Sequence, residues 1–202
     1  YGEIFPDESN ETTHYSIIDP EGNAVAVTTT LNAGYGSKVY VEKGGFFLNN
    51  EMDDFSSKPG TPNMFGLVGS EANSIQPEKR MLSSMTPTII EKNAQVSIIL
   101  GTPGGSTIIT SVLQTILNVY EFQMNIQEAV NAPRFHHQWL PDEIRLEPEK
   151  FDHLIPNLLN KGYFIKPEKE LIGRVDALYI DSKGLIQAGA DPRGDDFASY
   201  LY

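Results

Sequence analysis

The order of strand and helix patterns along the chain most constrains how it can fold. Residue patterns typical of β-strands occur near 14–18, 23–30, 45–48, 95–100, 163–166, 176–181 and 185–189. Apolar residues recur at helical spacing near 108–120, 126–131 and 149–161. Because strands and helices form separate runs and do not alternate, we expect mainly antiparallel sheets in an α+β layer architecture.

A hairpin between the first two strand patterns is the clearest local prediction. The segment Asp19–Gly22 (DPEG) places proline and glycine where a tight turn favours them. Side chains alternate along a strand, so Ala24, Ala26, Thr28 and Thr30 share one face of the second strand. Small side chains along one face indicate either close packing or a functional site.

The helix pattern at 108–120 predicts burial over a broad face. Its apolar stripe and flanking apolar positions are Ile108, Ile109, Val112, Leu113, Thr115, Ile116 and Val119. Asn125 is a suitable N-cap for the second helix, and Gly162 a suitable stop for the third. Between 32 and 70, frequent glycine and proline predict loops, and a loop tract this long is usually functional or mobile.

Composition excludes several classes of function. The 202 residues include 27 acidic and 15 basic side chains, a net charge of −12, which argues against nucleic acid or an anionic membrane as partner. Without cysteine the chain has no thiol chemistry, zinc–thiolate site or disulfide. Residues 1–11 are polar, are expected to form a tail or linker, and do not resemble a signal peptide; any export signal is expected upstream.

Three stretches could carry chemistry. Thr12 would be a nucleophile only with an adjacent base, and is otherwise a threonine at a strand entry. The glycine-rich segment 101–106 (GTPGGS) could present backbone N–H groups to an oxyanion or could be a helix-entry turn, and it lacks the spacing of a phosphate-binding loop. His136 and His137, with Trp139 nearby, lack an evident third ligand, so we predict no metal site.

Five stretches, in order, resemble the small subunit of γ-glutamyltranspeptidases, which are N-terminal-nucleophile hydrolases. They are 12–36 (TTHYSIIDPEGNAVAVTTTLNAGYG), 48–55 (LNNEMDDF), 82–87 (LSSMTP), 101–106 (GTPGGS) and 131–141 (NAPRFHHQWLP). The resemblance extends from Thr12 to about Arg193. It implies a four-layer αββα sandwich of which this chain supplies the catalytic half. Residues 1–11 would precede an autoprocessing site, and residues 12–202 would form the catalytic region.

The resemblance also implies roles for individual residues. Autoproteolysis between Glu11 and Thr12 would free Thr12, whose amine then serves as base for its own hydroxyl. Thr30 would hydrogen-bond that hydroxyl. The remaining implied residues bind the α-amino and α-carboxylate groups of the substrate or stabilise an oxyanion; they are Asn32, Glu51, Asp54, Ser83, Ser84, Gly104 and Gly105.

Some positions depart from the family pattern. Glu51 replaces a glutamine found in some members, and both residues can receive an ammonium group. Phe65 lies in a loop, 59–69, that resembles an active-site lid in which many members carry tyrosine, so a lid hydrogen bond is expected to be lost. If the Glu11–Thr12 bond stays intact, the nucleophile has no free amine.

The expected reaction is γ-glutamyl transfer or hydrolysis on glutathione or related compounds, without a cofactor. The alternatives are an acylase or poly-γ-glutamate hydrolase with the same nucleophile, and an unprocessed homologue that acts only as a binding module. The resemblance implies a large subunit of the same precursor as partner and a periplasmic or extracellular location. No apolar run in the sequence approaches the roughly 18 residues that span a membrane, so no membrane span is expected in this segment.

Overall fold

The computed structural model describes residues 12–200 and divides them into ten strands, three α-helices and four 3₁₀ turns. The strands are β1 (Thr12–Ile18), β2 (Ala24–Thr30), β3 (Tyr40–Val41), β4 (Phe46–Phe47), β5 (Thr88–Lys92), β6 (Gln95–Gly101), β7 (Phe135–His136), β8 (Arg145–Leu146), β9 (Asp176–Ile180) and β10 (Ile186–Gly189). The α-helices are α1 (Ile108–Tyr120), α2 (Ile126–Asn131) and α3 (Ile155–Asn160). The 3₁₀ turns are Glu51–Asp54, Glu71–Asn73, Gly105–Thr107 and Asp152–Leu154.

Three layers stack in this part of the chain. The central sheet has the order β10-β9-β6-β5, and all its pairings are antiparallel. The hairpin β1–β2 packs on one face of this sheet, against β6 and β9, while α1 and α2 pack on the other. The α+β class with mainly antiparallel sheets is therefore confirmed.

Strand β6 lies at the centre of the molecule and is buried on both faces. Ile98 and Leu100 belong to the core shared with α1 and α2, where they meet Val112 and Val130. Ile99 is equally buried and points to the opposite side of the strand, toward the hairpin. A strand covered on both faces has few polar positions, which explains the apolar run Ile98–Leu100.

The predicted hairpin is confirmed. Gly22 adopts φ +88° in the turn and donates its N–H to the carbonyl of Asp19 at 3.0 Å. The register pairs Thr12 with Thr30 and His14 with Thr28. This register places the small side chains of β2 on the face toward the central sheet.

Other sequence predictions need correction. Helix α1 has the predicted bounds, but Ile109 and Leu113 are more than half exposed, so its buried face is narrower than expected. The third helix begins as a 3₁₀ turn at Asp152 and becomes α-helical only from Ile155, where Pro156 occupies the first turn. The strand expected at 163–166 is only a bridge at Ile165.

Strand β5 was not predicted. It pairs with β6 around a bulge and lies at the edge of the central sheet, where its residues are less buried than those of β6. Within residues 12–200 no helix is long and apolar enough to cross a membrane.

Candidate active site

Thr12 and Thr30 form the centre of the candidate site. Because they are directly paired across the hairpin, the Thr12 hydroxyl reaches the Thr30 hydroxyl and donates to it at 3.0 Å. The oxygen of Thr30 also accepts the backbone N–H of Asn32 at 2.9 Å. Thr12 and Asn32 are both only 5% exposed. Glu11, the other half of the predicted cleavage site, lies outside the described residues.

His14 lies two residues beyond Thr12 on the same face of β1, but both of its ring nitrogens are hydrogen-bonded to other side chains. Its Nδ1 pairs with the hydroxyl of Thr28 at 2.8 Å, and its Nε2 with that of Ser16 at 3.0 Å. Burial lowers the pKa of His14 to about 4, so the ring is neutral at physiological pH. The ring packs against Gly101, where a side chain would collide with it. His14 therefore joins the hairpin to β6 and is not placed as the base for Thr12.

Asn32 connects the threonine pair to the acidic segment that follows. Its backbone has φ +77°, and its Nδ2 donates to the carbonyl of Asn50 at 3.2 Å. The side chain of Asn50 in turn accepts the N–H of Ala33 at 2.9 Å. The sequence neighbours of Asn50 in the next turn, Glu51–Asp54, are thereby held beside Asn32.

The acidic turn carries two carboxyl groups with raised pKa values. Burial, followed by the charges of Glu51 and Asp53, raises the pKa of Asp54 to about 6. Burial alone raises the pKa of Glu51. Three carboxylates in one short turn raise the cost of each other's negative charge, which an incoming ammonium group would relieve.

Asp54 also lines a cavity of about 140 Å³ between the acidic turn and the lid-like loop. Ser84 lines the same cavity, together with Asn63 and Leu67 of the loop. Ser83 is exposed, and its hydroxyl accepts the N–H of Met85 at 3.3 Å. Of the two predicted serines, the structure thus places Ser84, and not Ser83, in the cavity with Asp54.

The segment that follows β6 requires glycine. Gly104 has φ +136° and Gly105 φ +55°, conformations that residues with a side chain rarely adopt. No described residue accepts a hydrogen bond from the N–H of either glycine. The Phe65 ring of the lid-like loop lies directly over Gly105, 2.7 Å from where a β-carbon would stand.

A buried network of four charged side chains was not predicted from the sequence. Arg134 pairs with Asp191 at 2.8 Å, and Arg193 pairs with Asp191 at 3.0 Å and with Glu147 at 2.6 Å. All four side chains are at least 92% buried. The two carboxylates also accept the N–H groups of Ile172 and Val175, which fixes the segment 172–175.

Residues 172–175 pack against the glycine-rich segment 101–106. The N–H of Arg174 donates to the hydroxyl of the fully buried Thr102 at 2.7 Å. Gly173 packs against Gly104, whose β-carbon position lies 3.4 Å from the Gly173 Cα. The charged network thus holds the backbone on which Gly104 rests. The only sequence signal for it was the position of Arg134 inside the 131–141 motif.

The adjacent histidines point into different surroundings. His136 is buried and pairs with Thr110 and Gln138, whereas His137 pairs with the exposed Asp142. Among residues 12–200, no group of three or more histidine, aspartate or glutamate side chains could hold a metal ion.

Known proteins resemble the chain over nearly its whole length. Residues 3–201 match the family model described as gamma-glutamyltranspeptidase. The glutathione hydrolase proenzyme of Escherichia coli (strain K12) is 48% identical over 195 residues, which cover 96% of this chain and 33% of that protein. The chain therefore spans about a third of the length of this relative.

Solved structures share the fold as well as the sequence. Gamma-glutamyltranspeptidase from Pseudomonas nitroreducens, complexed with L-DON, is 46% identical with a TM-score of 0.88, over 94% of this chain and 100% of that one. A cephalosporin acylase from Bacillus halodurans is 26% identical with a TM-score of 0.80, over 94% of this chain and 34% of that one. The sequence likeness is much greater to the transpeptidase than to the acylase.

Proposed function

The chain belongs to the gamma-glutamyltranspeptidase family, and on that premise we propose that it is the catalytic half of an enzyme that transfers or hydrolyses γ-glutamyl groups through an ester on Thr12. The observation that carries the proposal is the hydrogen bond of 3.0 Å between the hydroxyl of the buried Thr12 and that of the partly buried Thr30. It fixes a hydroxyl at the start of β1, where an N-terminal amine would be its neighbour.

The nucleophile would arise by self-cleavage. The Thr12 hydroxyl attacks the carbonyl carbon of Glu11, the C–N bond breaks, and the acyl group moves from nitrogen to oxygen. Water then hydrolyses the ester and leaves Glu11 with a carboxylate and Thr12 with a free α-amine. This one residue then supplies both nucleophile and base, which is why the reaction needs the bond before Thr12 to be cut.

Turnover would follow the same acyl chemistry. The amine of Thr12 takes the hydroxyl proton as the oxygen attacks the γ-carbonyl carbon of the donor. The leaving amine receives that proton, and a γ-glutamyl ester remains on Thr12. Water or an acceptor amine then attacks the ester and regenerates the hydroxyl. The negative charge on the carbonyl oxygen in each step would face the N–H groups of Gly104 and Gly105.

The acidic turn would recognise the amino-acid end of the donor. Glu51 and Asp54 offer carboxylates to the α-ammonium group, and Asn32 stands between them and the threonine pair. Ser84 in the cavity, and Ser83 beside it, would donate hydroxyl protons to the α-carboxylate. A site built for an α-amino acid favours γ-glutamyl donors over the side chain of a cephalosporin.

The rest of the precursor would complete the enzyme as a large subunit. Apolar side chains on the outer faces of the hairpin and of α1 are exposed in this chain, among them Tyr15, Ile17, Ile109 and Leu113. Such faces suit burial against further protein. We also propose, from the family resemblance, that the assembled enzyme is periplasmic or extracellular, which cell fractionation would test.

The hydroxyl of Thr30 can be tested without changing side-chain shape. In Thr30→Val, Thr12 loses its hydrogen-bond acceptor and the N–H of Asn32 loses its partner. We expect kcat to fall at least tenfold, because a lost hydrogen bond of about 1.4 kcal/mol in the transition state corresponds to tenfold. Thr30→Ser should retain most of the rate. Equal rates in Thr30→Val and the parent would contradict the role assigned to Thr30.

The raised pKa of Asp54 predicts a pH dependence. Below a pH of about 6 this carboxyl group takes up a proton and can no longer pair with an ammonium group, so kcat/KM for the donor should fall as the pH decreases. Glu51, whose pKa is also raised by burial, adds a second ionisation to the same acidic limb. In Asp54→Asn one of these two ionisations is lost, so the limb should become less steep at a lower overall kcat/KM. An unchanged slope would contradict this assignment.

The proposed function is tested by turnover of a chromogenic γ-glutamyl anilide with the processed full-length protein. Turnover is expected with the γ-glutamyl compound and not with an anilide that lacks the α-amino group. Activity on a cephalosporin side chain alone would favour the acylase, and release from poly-γ-glutamate alone would favour a polymer hydrolase. A fully cleaved protein that turns over none of them would be a non-catalytic homologue.

A further inference from the structure

The tip of the lid-like loop, residues 59–69, is held on two sides. On the side of the acidic turn, the N–H of Met64 donates to a carboxylate oxygen of Asp53 at 3.0 Å, and Asn32 Nδ2 lies 3.7 Å from the Met64 sulfur. On the opposite side, Gln138 Nε2 donates to the carbonyl of Phe65 at 3.0 Å. Between these two anchors, the Phe65 ring lies over Gly105.

The contacts of Gln138 leave its amide only one orientation. Its NH₂ group donates both protons, one to the carbonyl of Phe65 and one to that of Leu140, each at 3.0 Å. Its oxygen pairs with Nε2 of His136 at 2.9 Å. A flipped amide would set its oxygen against two carbonyl oxygens, so the donor has to face the lid.

His136 connects this amide to the body of the protein. The ring is 2% exposed, and its Nδ1 pairs with the hydroxyl of Thr110 on α1 at 2.8 Å. Burial lowers the pKa of His136, and the one N–H of the neutral ring is used on Gln138, so Nδ1 can only accept. The Thr110 hydroxyl therefore directs its single proton to Nδ1 in preference to the Thr107 carbonyl, which lies farther away at 3.1 Å. A continuous series of hydrogen bonds therefore runs from α1 through His136 and Gln138 to the backbone of the lid.

We propose that Gln138 is the latch that holds the lid closed over the candidate oxyanion glycines. It is a positioning residue, because it acts through the backbone of Phe65 and not on the substrate. Gln138 donates to the main-chain carbonyl of residue 65, so this hydrogen bond does not depend on which side chain stands there. In this chain, where phenylalanine offers no hydroxyl, Gln138 supplies the polar anchor of the lid on this side.

A lid that opens in each catalytic cycle can be held closed by a single hydrogen bond, such as the one from Gln138. The bond joins residues 73 positions apart, and Phe65 and Gln138 are both only partly buried. The net free energy of such a bond is small, so it can break in each catalytic cycle. It is still large enough to shift the equilibrium of the lid toward its closed position. The inference rests on the proposed function only for the identity of the substrate beneath the lid.

The position of the lid can be measured independently of activity. In processed full-length protein, Gln138→Glu and Gln138→Met keep the size of the side chain and remove both amide protons. The bond between Phe65 and Gly66 is then expected to be cut by chymotrypsin at least about fivefold faster than in the parent, as followed by mass spectrometry. The second variant serves if the first fails to fold.

Gln127→Glu is the matched control. Gln127, on α2, also donates through its amide to a backbone carbonyl, that of Ala190 just after β10, at 2.9 Å, and its hydrogen bonds do not involve the lid. It should leave the cleavage rate at Phe65–Gly66 unchanged. Equal rates in the Gln138 variants, the parent and the control would overturn the latch.

Kinetics connect the latch to catalysis. The Gln138 variants should raise KM for the γ-glutamyl anilide about five- to tenfold and leave kcat within about twofold, since a closed lid stabilises bound substrate throughout the reaction. An unchanged KM despite faster cleavage would overturn the role in substrate binding. If the parent itself does not turn over the anilide, the proposed function fails. The cleavage rates at Phe65–Gly66 still test whether Gln138 holds the lid.

Discussion

In the full-length protein, Thr12→Ala is expected to leave the Glu11–Thr12 bond uncut and to lower γ-glutamyl turnover by more than about a thousandfold. Alanine has no hydroxyl to attack the preceding carbonyl, so no amine is released. Even if another protease freed residue 12, the chain would lack the oxygen that carries the acyl group. Both defects follow from one atom, Oγ1 of Thr12, which is held by Thr30 at 3.0 Å.

Thr13→Ala provides the matched control for this experiment. Thr13 is exposed on the opposite face of β1, where it pairs with Thr29 across the hairpin. This variant should be processed and turn over donor at a rate close to that of the parent. Processing by gel electrophoresis and anilide turnover measure the two effects separately. Substantial turnover in a purified Thr12→Ala protein would contradict the role of this hydroxyl.

The second large effect is expected at the buried charged network. Asp191→Ala removes a fully buried carboxylate and leaves Arg134, which is 1% exposed, without its charge partner. An uncompensated buried charge should lower the free energy of unfolding by about 3–5 kcal/mol. The segment 172–175 would also lose one of its anchors beneath Gly104. Denaturant titration of the processed protein measures the loss.

Asp152→Ala is the control for that comparison. Asp152 pairs with Lys169 at 2.6 Å, but its side chain is 54% exposed. Exposed pairs of this kind contribute about 1 kcal/mol or less, so the unfolding midpoint should hardly change. A similar small change in Asp191→Ala would mean that the network does not carry the stability assigned to it.

Local patterns explain why the hairpin could be predicted, whereas the role of Thr30 beside Thr12 was implied by the family resemblance. The turn 19–22 sets the register, and the register alone places Thr30 opposite Thr12. The capped helix α2 is equally local, because the side chains of Asn125 and Glu128 each bond the backbone of the other. In these elements, residues a few positions apart determine the geometry.

The charged network and the lid contacts depend on distant residues. Glu147 and Arg193 are 46 positions apart, and Phe65 and Gln138 are 73 apart. No periodicity links such positions, so a single sequence gives no sign that they meet. Arg134 could be assigned to an important motif but not to its partner Asp191.

The exposed side of α1 shows why apolar spacing alone does not predict burial within this chain. Apolar spacing predicts which residues avoid water, but not whether the covering layer belongs to the same chain. Ile109 and Leu113 fit the apolar pattern and are exposed in this part of the protein. The sequence also did not indicate that Ser84, and not Ser83, lines the cavity. Adjacent residues of an extended segment point to different sides, and the sequence does not say which side faces the site.

The mass of the mature chains tests the central claim most directly. Full-length precursor is incubated, and the intact masses and N-terminal sequences of its products are determined. We expect two chains, of which the smaller begins with Thr12 and gains one γ-glutamyl group on that residue when donor is added and the reaction is rapidly quenched. A precursor that stays intact, a cut at another bond, or an acyl group on another residue would contradict it.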